Sequence, residues 1–583
     1  MFLLDQHIRE LRRAREDAFA ALRAQWTDRL RADPGAAAAA VGAAQASQRA
    51  GVVAALGMAL FDAGLLASDA AQAIRPGLPG LLLAQDRYDD ALAVLELDEV
   101  ADAGHHKYWH GLARALAGLG RLEAAEQAAK RSLALSPGFA PAAEIAADIR
   151  AALDLQPALE GGQSWGIACR MIELYGRLGL GAEADELAQR TLQGPPRRPG
   201  SPKHVAAVLM AALRIVEPRT VRAAALDHRP SPPDDRFEAL LVRCDVMTGE
   251  AARQCDGGRD AGVVVRIEQA LACVAADAIP RAVGELGRLS IERSQDNGVR
   301  AALAYAVGEE SRGAIARGLP GPRSRKIFNL LPFNDELVML RLRMAEMAGW
   351  VDRFVIVESR TTFAGSPKPL HFDANRAEFA AYADRISHVV VDAFPAHVDT
   401  PWARDFHQRD RAVQALDGLC APDDLVLLTD ADEIVDGRAV AGFDGDLAGL
   451  RMATYRFFLN YRPDTDNQPM RRTGAVCKAR LLEQFGASYL RFTLSRAPGA
   501  ADIIDDAGWH FTSAADPEGV AAKVRSYAHQ EREAGWRDAG FVGDHLARIR
   551  RGDLEAGWER CEIDASYPAY IRAHADDLVA LIL

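Results

Sequence analysis

The chain has 583 residues, more than one hydrophobic core normally organises, so at least two domains are expected. Hydrophobic residues make up 49% and charged residues 26%, a globular balance that excludes long disorder. The formal charge of -12 is spread along the chain with no basic stripe interleaved with aromatics, which argues against a nucleic-acid partner.

The chain opens MFLLDQHIRELRRARED, whose three-residue apolar run is too short for the apolar region of a secretory signal. Residues 50–67 form the longest weakly polar stretch, rich in small residues and interrupted by Asp62, and read as a packed soluble helix rather than a membrane span. Seven cysteines, at 169, 244, 255, 273, 420, 477 and 561, lie far apart with no CxxC pair and no zinc-type Cys/His spacing. A reducing, cytoplasmic setting without a membrane span is the expectation.

Up to about residue 315, alanine is abundant, apolar residues recur at helical spacing and alternating β-branched runs are nearly absent, which predicts an all-α domain over 1–320. Leu78, Leu82, Arg87 and Ala91 recur thirty-four positions later as Leu112, Leu116, Arg121 and Ala125. The segment 108–138 resembles a tetratricopeptide repeat, with Trp109, Leu112, Ala113, Ala125 and Pro137 at that family's relative spacing. Small residues let paired helices approach, and Pro137 cannot continue the second helix. A looser echo in Ala184, Ala188 and Leu192 makes the array irregular, and an alanine-rich bundle is the alternative.

The turn-forming stretches 194–202 (GPPRRPGSP) and 229–235 (RPSPPDD) are expected to divide the helical half, and 318–326 (GLPGPRSRK) to mark the main boundary, leaving a second domain over 321–583. Beyond it the β-rich runs KIFNLLPF, RFVIVES, ISHVVVDAF and DLVLLTD alternate with helical stretches such as ELVMLRLRMAEMAG and RDFHQRDRAVQAL. That alternation predicts an α/β sheet with crossover helices.

In open α/β sheets ligands collect at the C-terminal strand ends, where the strand order reverses. Three polar clusters fall at such ends: Asn334, Asp335 and Glu336; Glu358 and Ser359; and Asp430, Asp432 and Glu433. Three carboxylates within four residues at the end of an apolar strand are costly unless a cation or strong donors neutralise them. A hard divalent ion such as magnesium or manganese would do so, with open positions for the phosphates of a nucleotide. A solvated strand-end turn is the bland alternative.

Six blocks between about 326 and 527 carry a family likeness: LLPFNDELVMLRLRM, VDRFVIVESRTTFAGSPKPLHF, HVVVDAFP, the 402–411 stretch with RDFHQRDR, LTDADEI, and AGWHFTS followed by KVRSYAHQE. In content and order they resemble the family 17 glycosyltransferases, whose best-known members add the bisecting β-1,4-linked N-acetylglucosamine to N-glycans. The resemblance implies a GT-A (Rossmann-like) fold, a UDP-sugar donor, UDP-N-acetylglucosamine foremost, a divalent metal (Mn²⁺ or Mg²⁺) and transfer with inversion.

Under that likeness Asp432 would ligate the metal, Asp430 would contact the ribose or the metal through water, and His510 would be a late metal ligand. Donor contacts would come from Asn334, Glu336, Glu358, Arg404, Arg411 and Lys478. For Glu358 the alternative is a structural pair with Arg360 or Lys368; for the basic residues, Arg409 included, it is a solvated charged face. An inverting transfer also needs a general base, for which Glu433, Asp505 and Asp506 are candidates, Glu433 otherwise capping a following helix. The helical half would bind a glycan or protein acceptor or a partner. Two other functions stay open: a non-catalytic repeat scaffold with a degenerate transferase domain, and a nucleotide-sugar hydrolase.

Overall fold

The computed structural model describes residues 2–46, 50–97, 104–160, 164–193, 201–230, 234–250, 262–309, 325–463, 472–497, 500–530 and 534–583. The turn-forming stretches expected at 194–202 and 318–326 lie mostly, and that at 229–235 partly, outside the described residues. Before residue 325 every described element is a helix, from Phe2–Ala32 to Asn297–Gly308.

Helices His106–Gly118 and Leu122–Leu135 show how the array is built. Gly120, at φ 72°, turns the chain between them, and the Ser132 hydroxyl donates to the His106 carbonyl at 2.8 Å, so the second helix returns along the first. Ala113 and Ala125 are fully buried between helices, where a larger side chain would hold them apart. Helix Ala50–Asp62 buries residues 54–60. No helix among the described residues is long and apolar enough to cross a membrane.

The C-terminal half holds twelve described strands: β1 (Ile327–Pro332), β2 (Arg353–Ser359), β3 (Ile386–Val391), β4 (Leu425–Leu428), β5 (Glu433–Val435), β6 (Leu447–Arg451), β7 (Ala453–Arg456), β8 (Tyr461–Pro463), β9 (Arg472–Lys478), β10 (Asp502–Ile504), β11 (Gly508–Thr512) and β12 (Trp558–Arg560). Seven form a mixed sheet in the order β10-β6-β9-β4-β1-β2-β3, with β9 antiparallel to both neighbours and the other pairs parallel. A three-stranded sheet, β5-β11-β7, stands beside it.

The central strands are mostly apolar because both sheet faces are covered. Their period of two sends alternate residues to different cores. Val355 and Val357 of β2 and Val426 and Leu428 of β4 enter one; Phe354 and Ile356, Leu425 and Leu427 enter the other, against helix Leu337–Met347. The first core crosses the halves of the chain. It takes Leu271, Leu286, Val299 and Leu303 from helices Val263–Ala275, Ile279–Glu292 and Asn297–Gly308, together with Phe406 of helix Pro401–Arg411 and Phe485. The first helix reaches the same region, where His7 lies edge-on to Phe485 at 5.0 Å and Arg15 pairs with Asp502 at 2.5 Å.

Candidate active site

β4 runs parallel to β1 on one side while β2 and β3 continue on the other, and this reversal opens a crevice at the C-terminal strand ends. A cavity of about 980 Å³ lies there. Asn334 and Glu336 line it past β1, Asp430, Asp432 and Glu433 past β4, and His510 from β11.

The turn after β4 is held from beneath by Arg343, whose side chain is fully buried. Its guanidinium donates to Asn329 Oδ1 at 2.5 Å, Thr429 Oγ1 at 3.0 Å, the Glu433 carbonyl at 2.6 Å and the Asp430 carbonyl. Burial pushes the Arg343 pKa down to about 10, which leaves it charged at neutral pH.

Arg491, on helix Ala487–Phe492, grips the same turn from the cavity side. It donates to both Glu433 oxygens, at 2.8 and 2.9 Å, and to Asp430 Oδ2 at 2.8 Å. Arg409 takes the other Asp430 oxygen at 2.5 Å and Asp405 at 2.8 Å. Burial alone would raise the Asp430 pKa, but the two guanidinia outweigh it and hold the carboxyl well below the usual range.

Asp432 is paired with the Lys523 amine at 2.6 Å, and its other oxygen lies 3.6 Å from His510 Nε2. Burial opposes ionisation here too, yet Lys523 and His510 keep the carboxyl below its ordinary value. His510 arrives from a distant part of the chain because β5 and β11 pair antiparallel with His510 opposite Glu433. His510 Nδ1 is buried and has no hydrogen-bond partner among the described residues. Glu336 lies 3.8 Å from the Lys523 amine, and burial raises its pKa despite that charge.

No three His, Cys, Asp or Glu side chains converge into a metal cage among the described residues. Asp432 and His510 are nevertheless a suitable pair for a hard cation. They meet at the cavity wall, with the Lys523 amine standing where such a charge would sit and phosphate and water available for the other positions. Asp430 has both carboxylate oxygens on guanidinia.

Most of the remaining sequence candidates lie outside the cavity. Glu358 is buried, accepts the backbone N–H groups of Phe372 and Asp373 at 3.0 and 3.3 Å, and pairs with His388 at 3.0 Å and Lys368 at 3.8 Å; Arg360 pairs instead with Asp392. Lys478 faces Asp446 and Asp423 beside Leu425, at the opposite end of β4. Asp505 and Asp506 are exposed in the turn after β10, where Arg451 donates to Asp505 at 2.8 Å. Of the three arginines on helix Pro401–Arg411, Arg409 lines the cavity; Arg404 donates to the Phe363 and Asp399 carbonyls, and Arg411 to Gln414. Glu433 opens a strand, not a helix, so it has no helix to cap: Ile434 and Val435 are β-branched and pair with Trp509 and Gly508.

Three residues at the site escaped the sequence reading. Arg343 and Lys523 stand inside quoted family blocks, LLPFNDELVMLRLRM and KVRSYAHQE, where their charge on otherwise core-facing helices was the available signal. Arg491 had none, since nothing local distinguishes it from a surface arginine.

Residues 317–538 match the family model described as Glycosyltransferase family 17. Over 145 residues the chain is 30% identical to the β-1,4-mannosyl-glycoprotein 4-β-N-acetylglucosaminyltransferases of Rattus norvegicus and Homo sapiens, and 29% to that of Mus musculus. The aligned stretch is 24% of this chain and 26% of each relative, so about a quarter of the relatives' length is represented. The cavity, with its acidic turn after β4, lies within the matched segment apart from a few lining residues, and the C-terminal half of the chain carries a glycosyltransferase family 17 domain.

Proposed function

We propose that the chain is a metal-dependent inverting glycosyltransferase of GT-A type that moves a sugar, N-acetylglucosamine from UDP-N-acetylglucosamine foremost, to a glycan or protein acceptor. The observation that carries this reading is the meeting of Asp432, from the turn after β4, and His510, from the middle of β11, at the wall of the cavity beside the β1–β4 reversal. When bound, a Mn²⁺ or Mg²⁺ ion held by these two side chains would stabilise charge on the departing diphosphate. Lys523 yields Asp432 as the donor arrives and remains in the cavity as a second positive charge. Arg409 and Arg491 keep Asp430 ionised and in place, and Arg343 keeps the turn from shifting under the added charge. The helical half, in this reading a tetratricopeptide-like array, recruits the acceptor or a partner.

The test is a panel of nucleotide sugars with manganese or with chelator, reading nucleotide release and donor-dependent thermal stabilisation. A UDP-sugar is expected to stabilise the chain and turn over only with metal, and Asp432→Ala to abolish turnover. Full activity in that variant would refute the site, and free sugar as sole product would establish a hydrolase instead.

A further inference from the structure

The cavity wall extends beyond the family 17 segment. Asn297 and Arg300, in the first turn of helix Asn297–Gly308, line it, and both precede residue 317. Arg300 donates to Asn297 Oδ1 at 2.6 Å and lies over the Trp402 ring at 5.3 Å. Among the described residues no carboxylate pairs with it.

Arg496 lines the same cavity and is exposed into it. Three guanidinia surround Phe492, those of Arg409, Arg491 and Arg496, at 5.1 to 5.2 Å from the ring centre. Arg409 and Arg491 are neutralised by Asp405, Asp430 and Glu433. The Arg496 side chain has no hydrogen bond or ion pair among the described residues. Its confined position, and then the charge of Arg491 with a smaller contribution from Arg300, push its pKa down to about 10, so it stays charged at neutral pH. Arg300 over Trp402 and Arg496 over Phe492, whose rings lie 6.2 Å apart, are two neighbouring cations on the cavity wall with no acid partner among the described residues, an arrangement that an anion would relieve.

We infer that Arg300 and Arg496 form an anion subsite that takes a phosphate of the donor's diphosphate, so that the helical half completes the donor site. The assignment rests on the nucleotide-sugar reading above. A planar guanidinium matches two phosphate oxygens at once, and a neutral sugar would leave both charges unmet. Arg496 shares the Phe492 ring with Arg409 and Arg491, the two guanidinia that hold Asp430, which places it beside the acidic turn where the diphosphate would lie.

Calorimetry on the full chain decides it, with inorganic pyrophosphate, UDP and uridine as probes and with wild type, Arg300→Ala, Arg496→Ala and Arg300→Lys as proteins. Pyrophosphate and UDP are expected to bind each alanine variant about ten-fold more weakly or worse, with uridine unchanged and Arg300→Lys recovering part of the loss. Thermal melts check that each variant is folded, and Arg300→Gln and Arg496→Gln replace any alanine variant that is not. Unchanged pyrophosphate and UDP affinities in folded variants would overturn the subsite and leave the donor reading standing. A wild type that binds pyrophosphate but not UDP would sink the donor reading, with the variants' pyrophosphate affinities still deciding the subsite. A wild type that binds neither overturns both.

Discussion

Arg491 and Glu433 face each other through two parallel bonds of 2.8 and 2.9 Å, with side chains only 3% and 2% exposed. The same guanidinium reaches Asp430, so one buried cation fixes two of the three carboxylates in the turn after β4. Asp432 is left to face Lys523 and His510.

Removing Arg491 leaves the buried Glu433 carboxylate with the Asp430 N–H but no paired cation among the described residues. Arg491→Ala is expected to cost about 3–5 kcal/mol of stability in urea denaturation. Arg491→Lys should recover less than half, because a single ammonium cannot form the two-bond fork. A loss below about 1 kcal/mol would show that the pair does not hold the turn.

The acid response has a definite sign. Asp430 is held below its usual pKa in the folded chain, so its pairing stabilises the fold above the unfolded value of about 3.9 and that contribution fades as pH falls toward the folded value. Asp430→Asn lacks the contribution at every pH. The stability gap between wild type and variant should therefore be widest above about pH 5 and shrink on acidification. Urea unfolding at stepped pH measures it, and a gap that grows toward acid would contradict the Arg409 and Arg491 pairing.

Lys523 and a divalent ion compete for Asp432. Lys523→Gln should bind Mn²⁺ about ten-fold more tightly by calorimetry. Asp432→Asn should abolish that binding and lower turnover by about a hundred-fold or more. Equal Mn²⁺ affinity in wild type and Lys523→Gln would remove Lys523 from the competition.

The shared core predicts that the two halves unfold together. Leu303 is fully buried against it, and Leu303→Ala should cost about 2–5 kcal/mol. Loss should appear in one transition reported by Trp402, which belongs to the same core. Deleting residues 1–315 removes Val299 and Leu303 from the core and should leave the remaining chain insoluble or protease-sensitive; a truncated chain that melts at the wild-type temperature would refute this.

Local patterns carried a good deal of this. The short, nearly unbroken β-rich apolar runs between helical stretches placed β1 to β4, because a strand covered on both faces needs apolar side chains at successive positions. The carboxylates at the end of DLVLLT marked one wall of the cavity, and His510 was found through the family likeness. Lys478 and Arg404 show the limit of such patterns. Each is a basic residue near a strand or on a helix of the right kind, and only the sheet's register and the helix's rotation put Lys478 at the far end of β4 and turned Arg404 toward backbone carbonyls.

Strand and helix identity, and the acidic character of the turn after β4, were thus settled by residues a few positions apart, whose periodicity and charge are local. Partners were not. Asp430 with Arg409 and Arg491, Asp432 with Lys523 and His510, and Arg300 at the cavity wall all join segments tens to hundreds of residues apart. Such pairings depend on how sheets and helices pack, and a buried charge carries no mark in the sequence of which opposite charge will be close enough to hold it.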